Sequence, residues 1–153
     1  MKIGRFIRAR TITEAWYRGL NLIWRQGYEI CDERDTKTRE ILDLQVMVED
    51  PFKDMISDDY SWNQARLEEY ARQLISGQNP GFEYTYGERL RSWAVPGARE
   101  PVDQIERLIG HLKSKPNTRR ATAVTLIPPV DSAKAEIPCM IVDDFKIREG
   151  RLN

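Results

Sequence analysis

The stretch on which the fold and the chemistry depend runs from Asn117 to Cys139 and reads NTRRATAVTLIPPVDSAKAEIPC. Its two adjacent arginines, Arg119 and Arg120, can bind a dianionic phosphate through forked N–H donors. Their positive charge would also favour the thiolate form of a nearby Cys139. Taken separately, a lone cysteine is more often an inert buried thiol and an arginine pair a solvated ion-pair surface. Taken together, they predict nucleophilic attack on a phosphorylated substrate.

The composition limits the class of protein. The 153 residues are 41% hydrophobic, which suits one globular domain over residues 1–153. Lys plus Arg and Asp plus Glu number 24 each, so no overall positive field attracts nucleic acid or a membrane, and an anion site must be local. With only two cysteines, no signal peptide and no apolar run near the ~20 residues of a membrane span, a cytoplasmic protein is expected. No closely spaced cysteine or histidine ligands predict a metal.

Hydrophobic periodicity predicts an α+β fold. Apolar residues recur at helical spacing over residues 11–26, 62–76 and 101–115. Strands are predicted over residues 1–10, 40–50, 121–127 and 140–147, and an ordered loop region over 77–101. The apolar stripe of the first helix is interpreted as core; it consists of Trp16, Leu20, Ile23 and Trp24. These elements predict a mixed twisted β-sheet with helices packed on one face.

A charged loop over residues 32–39 offers a second anion site. One interpretation is a solvated hairpin connection after residues 28–31. The other is a mobile loop whose Arg34 folds over a phosphate. Both stay open at this stage.

The last residues predict a β-hairpin whose second strand has only three residues. Glu149-Gly150 predicts a turn, and three residues follow it. Strands average about five to six residues, so this stub would leave its partner strand with an unpaired edge. We therefore expect the chain to be the N-terminal portion of a longer domain that lacks its C-terminal segment.

Four segments resemble the thymidylate synthase family in content and order. They are Tyr86–Trp93 (YGERLRSW), Asp103-Gln104-Ile105, Pro116–Arg120 (PNTRR) and Ile137-Pro138-Cys139. The spacing from Arg120 to Cys139 is similar as well, and residues 34–38 resemble a diverged form of the family's phosphate loop. The resemblance implies a two-layer fold in which two sheets meet back to back in a homodimer.

The resemblance also implies an activity, the reductive methylation of dUMP to dTMP. The carbon and the hydride would come from 5,10-methylenetetrahydrofolate or from methylene-tetrahydromethanopterin. Cys139 would be the nucleophile that adds to C6 of the uracil, after which C5 attacks the methylene carbon. No metal takes part.

The resemblance further assigns roles to single residues. Arg34 would bind the nucleotide phosphate from its own chain, and Arg119 and Arg120 would reach the phosphate in the neighbouring subunit. Trp93 would line the pterin site. Glu69 would help to move protons through ordered water, although a solvated carboxylate on a polar helix face is the simpler interpretation.

Several positions depart from the family pattern. Met140 stands where a histidine usually follows the nucleophile, and Leu90 stands where the family has a second tryptophan. Aligning on Gly77 puts Tyr70 at the position of the proton-relay carboxylate, one residue from Glu69. These differences resemble the compact archaeal branch of the family and leave the choice between folate and methanopterin open.

Two alternatives remain at this stage. The family's uracil-reading asparagine would lie past Asn153, so a pyrimidine nucleotide hydroxymethylase acting on dUMP or dCMP is the second enzyme hypothesis. The other alternative is a non-catalytic nucleotide-binding or dimerisation module. Thiol reactivity separates the classes, because a catalytic Cys139 would be protected from alkylation by dUMP whereas a structural one would be inert.

Overall fold

The computed structural model describes residues 4–153 and divides the chain into two compact units that meet at Gln64 and Ala65. The prediction of one domain over residues 1–153 stays a prediction, because parts of one domain can also separate into compact units.

The first unit combines one helix with two pairs of strands. Strand β1 (Arg5–Ala9) pairs in parallel with β4 (Leu44–Val48). Strands β2 (Tyr28–Cys31) and β3 (Lys37–Glu40) form an antiparallel hairpin. The strand predicted over residues 1–10 therefore corresponds to β1, with its first three residues outside the described part, and the strand predicted over 40–50 is shortened to β4.

The loop predicted over residues 32–39 is shorter than expected. The Asp32 carboxylate accepts from the backbone N–H groups of Arg34 and Thr36 at 2.9 and 2.8 Å, and so closes a tight turn. The chain is extended again from Lys37, so the last charged residues belong to β3. Their polarity concealed the strand from pattern reasoning.

Helix α1 (Ile12–Gln26) confirms the prediction over residues 11–26. The Thr11 hydroxyl caps it by accepting from the Glu14 N–H at 3.2 Å. Gly27 ends the helix with φ at −68°, so no left-handed conformation is involved. Glycine is needed there for close approach, because a Cβ would lie 2.4 Å from the Ile23 carbonyl oxygen.

The interpretation of the α1 stripe as core is wrong for two of its members. Trp24 is 76% exposed and Leu20 is 48% exposed. The parallel pair of β1 and β4 is only two strands wide, and α1 has no fully buried residue. The apolar face of α1 is therefore wider than the two-stranded pair can cover within this unit.

The second unit contains the remaining helices and strands. The helices are α2 (Gln64–Ile75), which begins at the boundary residue, α3 (Tyr86–Arg91), α4 (Gln104–Ser114) and α5 (Pro128–Asp131). The strands are β5 (Thr122–Val124), β6 (Val142–Asp144), β7 (Ile147–Arg148) and β8 (Arg151–Leu152). β5 pairs antiparallel with β6, and β7 with β8 across the predicted Glu149-Gly150 turn, where both residues have positive φ.

Most predicted elements of this unit exist but are shorter. The helix predictions over 62–76 and 101–115 become α2 and α4, and Asp103 rather than Pro101 starts α4 by accepting from the Glu106 N–H at 2.9 Å. The strand predictions over 121–127 and 140–147 become β5 and β6, with β7 at the end of the second range.

Helix α3 lies inside the region predicted as loop, so that prediction is wrong for residues 86–91. Its cap was readable: the Thr85 hydroxyl accepts from the Glu88 N–H at 3.1 Å, in a Thr-x-x-Glu pattern. The Gly, Pro and aromatic content of the flanking residues concealed this signal.

The core of the second unit lies between α3, α4 and β5. Four buried residues form it, with further apolar side chains packed around them: Leu90, Leu108, Ala121 and Ala123, surrounded by Ile105, Leu112, Met140 and Phe145. Ala123 on β5 and Ala121 just before it are fully buried, which brings this part of the chain close to the helices.

The α+β class is confirmed. The described strands form four two-stranded pairs, one parallel and three antiparallel. The single twisted sheet with helices on one face stays a prediction. Among residues 4–153, no helix is both long and apolar enough to cross a membrane.

Candidate active site

The segment from Ile137 to Met140 presents Cys139 at the surface of the second unit. The thiol is free and exposed, whereas its neighbour Pro138 is among the most buried residues described. The buried proline anchors the backbone while the cysteine side chain stays accessible. This is the placement that a nucleophile needs.

Two tyrosines from the start of α3 hold this segment on both sides of the cysteine. The Tyr84 hydroxyl donates to the Ile137 carbonyl oxygen at 3.1 Å, and the Tyr86 hydroxyl accepts from the Met140 N–H at 3.1 Å. Their rings meet edge to face with centroids 5.7 Å apart. Tyr86 therefore supports the loop, as the sequence reasoning expected.

Thr125 completes the set of hydroxyls around the cysteine segment. Its side chain is fully buried, and Oγ1 donates to the Met140 carbonyl oxygen. Its backbone N–H donates to the Ile141 carbonyl oxygen at 3.2 Å. We call Tyr84, Tyr86 and Thr125 the hydroxyl frame of Cys139.

The environment of Tyr84 keeps its hydroxyl protonated. Its pKa is raised to about 12, first by burial, then by the hydrogen bond and charge of Tyr86, and further by the charges of Cys139 and Glu136. Tyr84 is therefore a neutral hydrogen-bond donor throughout the physiological pH range.

A buried ion pair ties α3 to α5 beneath this site. Arg89 donates to both carboxylate oxygens of Asp131, at 2.6 and 3.2 Å, and the two side chains are 2% and 0% exposed. Burial alone would raise the pKa of the Asp131 carboxyl, but the Ile127 N–H and the Arg89 guanidinium together hold it below its usual range. The pair fixes residues 127–131, which lead towards the cysteine segment.

Trp93 lies under Arg89, with the guanidinium carbon 4.0 Å from the ring centroid. The residue is 7% exposed, and its buried Nε1 has no hydrogen-bond partner among residues 4–153. This position leaves little ring surface for a ligand. The contact of Trp93 with a pterin stays a prediction.

The Arg119-Arg120 pair occupies an exposed turn between α4 and β5. The turn is closed locally: the Thr118 N–H donates to the Lys115 carbonyl oxygen at 2.9 Å, and the Thr118 hydroxyl accepts from the Arg120 N–H at 3.1 Å. Within the described part of the chain, neither guanidinium takes part in an ion pair or a side-chain hydrogen bond. Both are available to an anion.

Arg34 is exposed in the turn between β2 and β3, in the first unit. Arg119, Arg120 and Cys139 belong to the second unit. A phosphate site shared by all three arginines therefore stays a prediction.

Glu69 and its neighbour Tyr70 line different pockets along α2. Glu69 lines a polar pocket of about 580 Å³ together with Arg72 and Asn79. Tyr70 lines a pocket of about 250 Å³ whose other walls include Phe82, Tyr84 and Tyr86; we call it the aromatic pocket. The structure thus places Tyr70, rather than Glu69, beside the tyrosines that contact the cysteine segment, and the role of Glu69 stays a prediction.

Gln104, the middle residue of the Asp-Gln-Ile segment, has a structural role. Its amide donates to the Val124 carbonyl oxygen at 2.7 Å and accepts from the Val124 N–H at 3.0 Å, in the manner of a neighbouring strand. A further bond reaches the Arg89 carbonyl oxygen at 2.9 Å. One side chain thereby joins α4 to α3 and β5.

Sequence reasoning missed Tyr84, Thr125, Arg89 and Asp131. Their partners are 15 to 53 residues away along the chain, so no local pattern announces the contacts. Arg89 lies between other charged residues of α3, so no signal in the sequence indicates that it pairs with Asp131. No group of three or more metal-binding side chains lies together within residues 4–153.

Comparisons with known proteins agree with the motifs. Residues 35–153 match the family model described as thymidylate synthase. A protein of Methanosarcina acetivorans is 58% identical over 153 residues, which cover 99% of this chain and 68% of that protein. A protein of Methanothermobacter thermautotrophicus is 38% identical over an alignment of 161 positions, which covers 95% of this chain and 70% of that protein. Both carry the description "putative thymidylate synthase". The chain belongs to the thymidylate synthase family.

Proposed function

We propose that this chain carries the nucleophile of a thymidylate synthase that methylates dUMP to dTMP. Family membership indicates a methyltransferase-type enzyme with a folate-type co-substrate. The observation that carries the more specific proposal is the exposed Cys139 on a segment whose flanking peptide groups are held by buried and half-buried hydroxyls. Such a thiol is accessible, and the backbone that carries it is held in place, which favours covalent catalysis.

In the proposed reaction the Cys139 thiolate forms a bond to C6 of the uracil. The electron pair of the C5–C6 double bond moves towards the C4 carbonyl, so C5 becomes the nucleophilic carbon. The reduced pterin supplies the one-carbon unit and the hydride. C5 loses its proton, the Cys139–C6 bond breaks, and the thiolate is restored.

The phosphate of dUMP would be bound by arginines. Arg119 and Arg120 are exposed and without an ion pair among residues 4–153, which supports an anion site on the turn. We propose that they bind the phosphate of the nucleotide held by the second copy in a homodimer, and that Arg34 binds the phosphate of its own copy.

A sheet-to-sheet dimer interface is supported by the second unit. Val124 and Val142 lie opposite each other on paired strands, and they are 44% and 49% exposed. Apolar side chains on one face of a strand pair favour burial against another apolar surface. Within this proposal the two-layer sheet arrangement is completed by the second copy.

The pterin would use the aromatic pocket. Its tyrosine and phenylalanine rings fit a flat bicyclic ring, and Tyr84 and Tyr86 join it directly to the cysteine segment. Trp93 would support this wall through Arg89, which lies between its ring and that of Tyr84. Glu69 would exchange protons with water at the edge of the site. The pocket suits either methylenetetrahydrofolate or methylene-tetrahydromethanopterin.

Adduct formation tests the proposal. The chain is incubated with 5-fluoro-dUMP and methylenetetrahydrofolate, or with methylene-tetrahydromethanopterin, and digested for mass analysis. We expect an adduct on the peptide that contains Cys139, no adduct in Cys139→Ala, and a normal adduct in the matched control Cys31→Ala.

The relatives are longer than this chain, so a chimera is the second arm. It joins this chain to the part of the Methanosarcina acetivorans protein that the match leaves uncovered, since the match covers 68% of that protein. An adduct in either form supports the proposal. Absence of an adduct in both forms with both pterins would contradict it.

A further inference from the structure

The hydroxyl frame fixes the peptide groups on both sides of Cys139. On one side, the Ile137 carbonyl oxygen accepts from Tyr84 at 3.1 Å. On the other, Met140 uses both its backbone groups: its carbonyl oxygen accepts from Thr125, and its N–H donates to Tyr86. With the flanking backbone held in this way, the remaining freedom of the Cys139 sulfur is mainly rotation about its own Cα–Cβ bond.

We propose that Tyr84 and Thr125 are positioning residues for Cys139, which hold the Ile137 and Met140 carbonyl groups and thereby set the place of the sulfur against the pyrimidine. The inference rests on the proposed function. It goes further by assigning a role in the reaction to two residues that lie outside the motifs shared with the family.

The surroundings of the two residues suit this role. Thr125 is fully buried, so water has little access to replace its hydroxyl as the donor to the Met140 carbonyl oxygen. The Tyr84 ring lies 5.8 Å from the guanidinium carbon of Arg89, itself fixed by Asp131. Since the pKa of Tyr84 is raised to about 12, its hydroxyl keeps the proton that it donates to Ile137. Each donor is thus held by the fold independently of any ligand.

Two reactions of the Cys139 thiol, alkylation by iodoacetamide and addition to a bound nucleotide, can distinguish a residue that positions the sulfur from one that only stabilises the fold. Iodoacetamide is small and reacts with a cysteine in many orientations. Addition to C6 of a bound nucleotide requires one orientation, and a misplacement of about 1 Å can lower such a rate by about 100-fold. A positioning residue should therefore affect the second reaction far more than the first.

The test uses Tyr84→Phe and Thr125→Val, each in a Cys31→Ala background so that Cys139 is the one thiol that this chain contributes. Thr122→Val is the matched control, because the exposed Thr122 hydroxyl on β5 bonds to Asp144 on β6 and not to the cysteine segment. For each protein we measure the rate of adduct formation with 5-fluoro-dUMP and the pterin, the rate of iodoacetamide alkylation, and the thermal midpoint. The form of the protein, chain or chimera, is the one in which Cys139 forms the adduct.

We expect the adduct rate to fall by about 10- to 100-fold in Tyr84→Phe and Thr125→Val, with alkylation changed less than about threefold. Thr122→Val should keep both rates, and Thr125→Ser, which retains a hydroxyl, should recover most of the adduct rate. If Thr125→Val does not fold, Tyr84→Phe carries the test, since that side chain is only partly buried.

Three results would overturn the inference. Unchanged adduct rates, or equal losses in both reactions, would show that the two residues serve stability or the thiol itself. An absent adduct in the chain and chimera without the frame substitutions would instead remove the proposed function, and the inference with it. The protein without those substitutions therefore distinguishes the two failures.

Discussion

The two halves of the candidate site, the segment around Cys139 and the turn that carries Arg119 and Arg120, are held in different ways. The cysteine segment is bonded to side chains from distant parts of the chain, and the Arg89–Asp131 pair lies next to it in the fold. The arginine turn is closed only by Thr118 and Lys115, its immediate neighbours. The candidate nucleophile is thus held by contacts from distant parts of the chain, whereas the candidate anion site is exposed and held only by its neighbours.

The largest effect should come from breaking the rigid half. Arg89→Ala would leave the Asp131 carboxylate buried without its partner, which we expect to lower the free energy of unfolding by about 3–5 kcal/mol. Urea denaturation measures this change. The matched control is Arg91→Ala, whose partly exposed pair with Asp103 should contribute about 1 kcal/mol or less. Equal losses in the two variants would contradict the central role of the buried pair.

Substitutions in the exposed arginine turn should lower nucleotide affinity and leave stability nearly unchanged. Arg119→Ala and Arg120→Ala each remove a charge-assisted contact to phosphate, so we expect dUMP affinity to fall by about 1.5–3 kcal/mol, about 10- to 100-fold, in each variant. The free energy of unfolding should change by about 0.5 kcal/mol or less, because neither side chain has a partner within residues 4–153. Calorimetric titration and urea denaturation give the two numbers. Unchanged affinity, or a large loss of stability, would reverse the comparison.

Gln104 offers an intermediate case, because it holds the strand that separates the two halves. Gln104→Ala leaves the Val124 N–H and carbonyl without their side-chain partner, and we expect a loss of about 1–3 kcal/mol in stability. Amide hydrogen exchange should become faster at Val124 and remain unchanged at residues 117–120. Protection that is unaltered at Val124 would show that water replaces the glutamine without cost.

The smallest effect is a dependence on alkaline pH. The folded-state pKa of Tyr84 is about 12, whereas a tyrosine in the unfolded chain ionises near its ordinary value of 10.0. The stabilisation is therefore fully present below pH 10 and is lost as the pH rises towards 12. Stability should fall less steeply over this window in Tyr84→Phe than in the chain with Tyr84, as measured by denaturation at each pH. Identical slopes of stability against pH in the two proteins would contradict the raised pKa of Tyr84.

Elements that depend on interactions between residues close together in the sequence were predicted better than those that depend on distant residues. Helices α1 and α4 were predicted because their apolar periodicity is a signal that acts within a few residues. Helix α3 was missed although Thr85 and Glu88 form a readable cap, because the surrounding Gly, Pro and aromatic residues suggested a loop. Strand β5 ends at Val124 and is shorter than predicted, although the Thr125 N–H still donates to the Ile141 carbonyl oxygen one position further on.

The candidate site divides in the same way. Cys139, Arg119 and Arg120 are exposed residues in short motifs, so the sequence alone suffices to propose them as site residues. The residues that hold the cysteine segment, Tyr84 and Thr125, act across long separations along the chain and leave no periodic signal. Sequence reasoning thus finds groups that would meet the substrate more readily than groups that would position them.

Ligand protection of the two cysteines tests the central claim most directly. Cys31 and Cys139 are both exposed and free, so each is accessible to an alkylating reagent and Cys31 is an internal control. In the chain or the chimera, we predict that dUMP slows alkylation of Cys139 and not of Cys31, and that combined Arg119→Ala and Arg120→Ala substitution abolishes the protection. If dUMP at saturating concentration leaves both alkylation rates unchanged, the account of Cys139 as the nucleophile of a nucleotide site is contradicted.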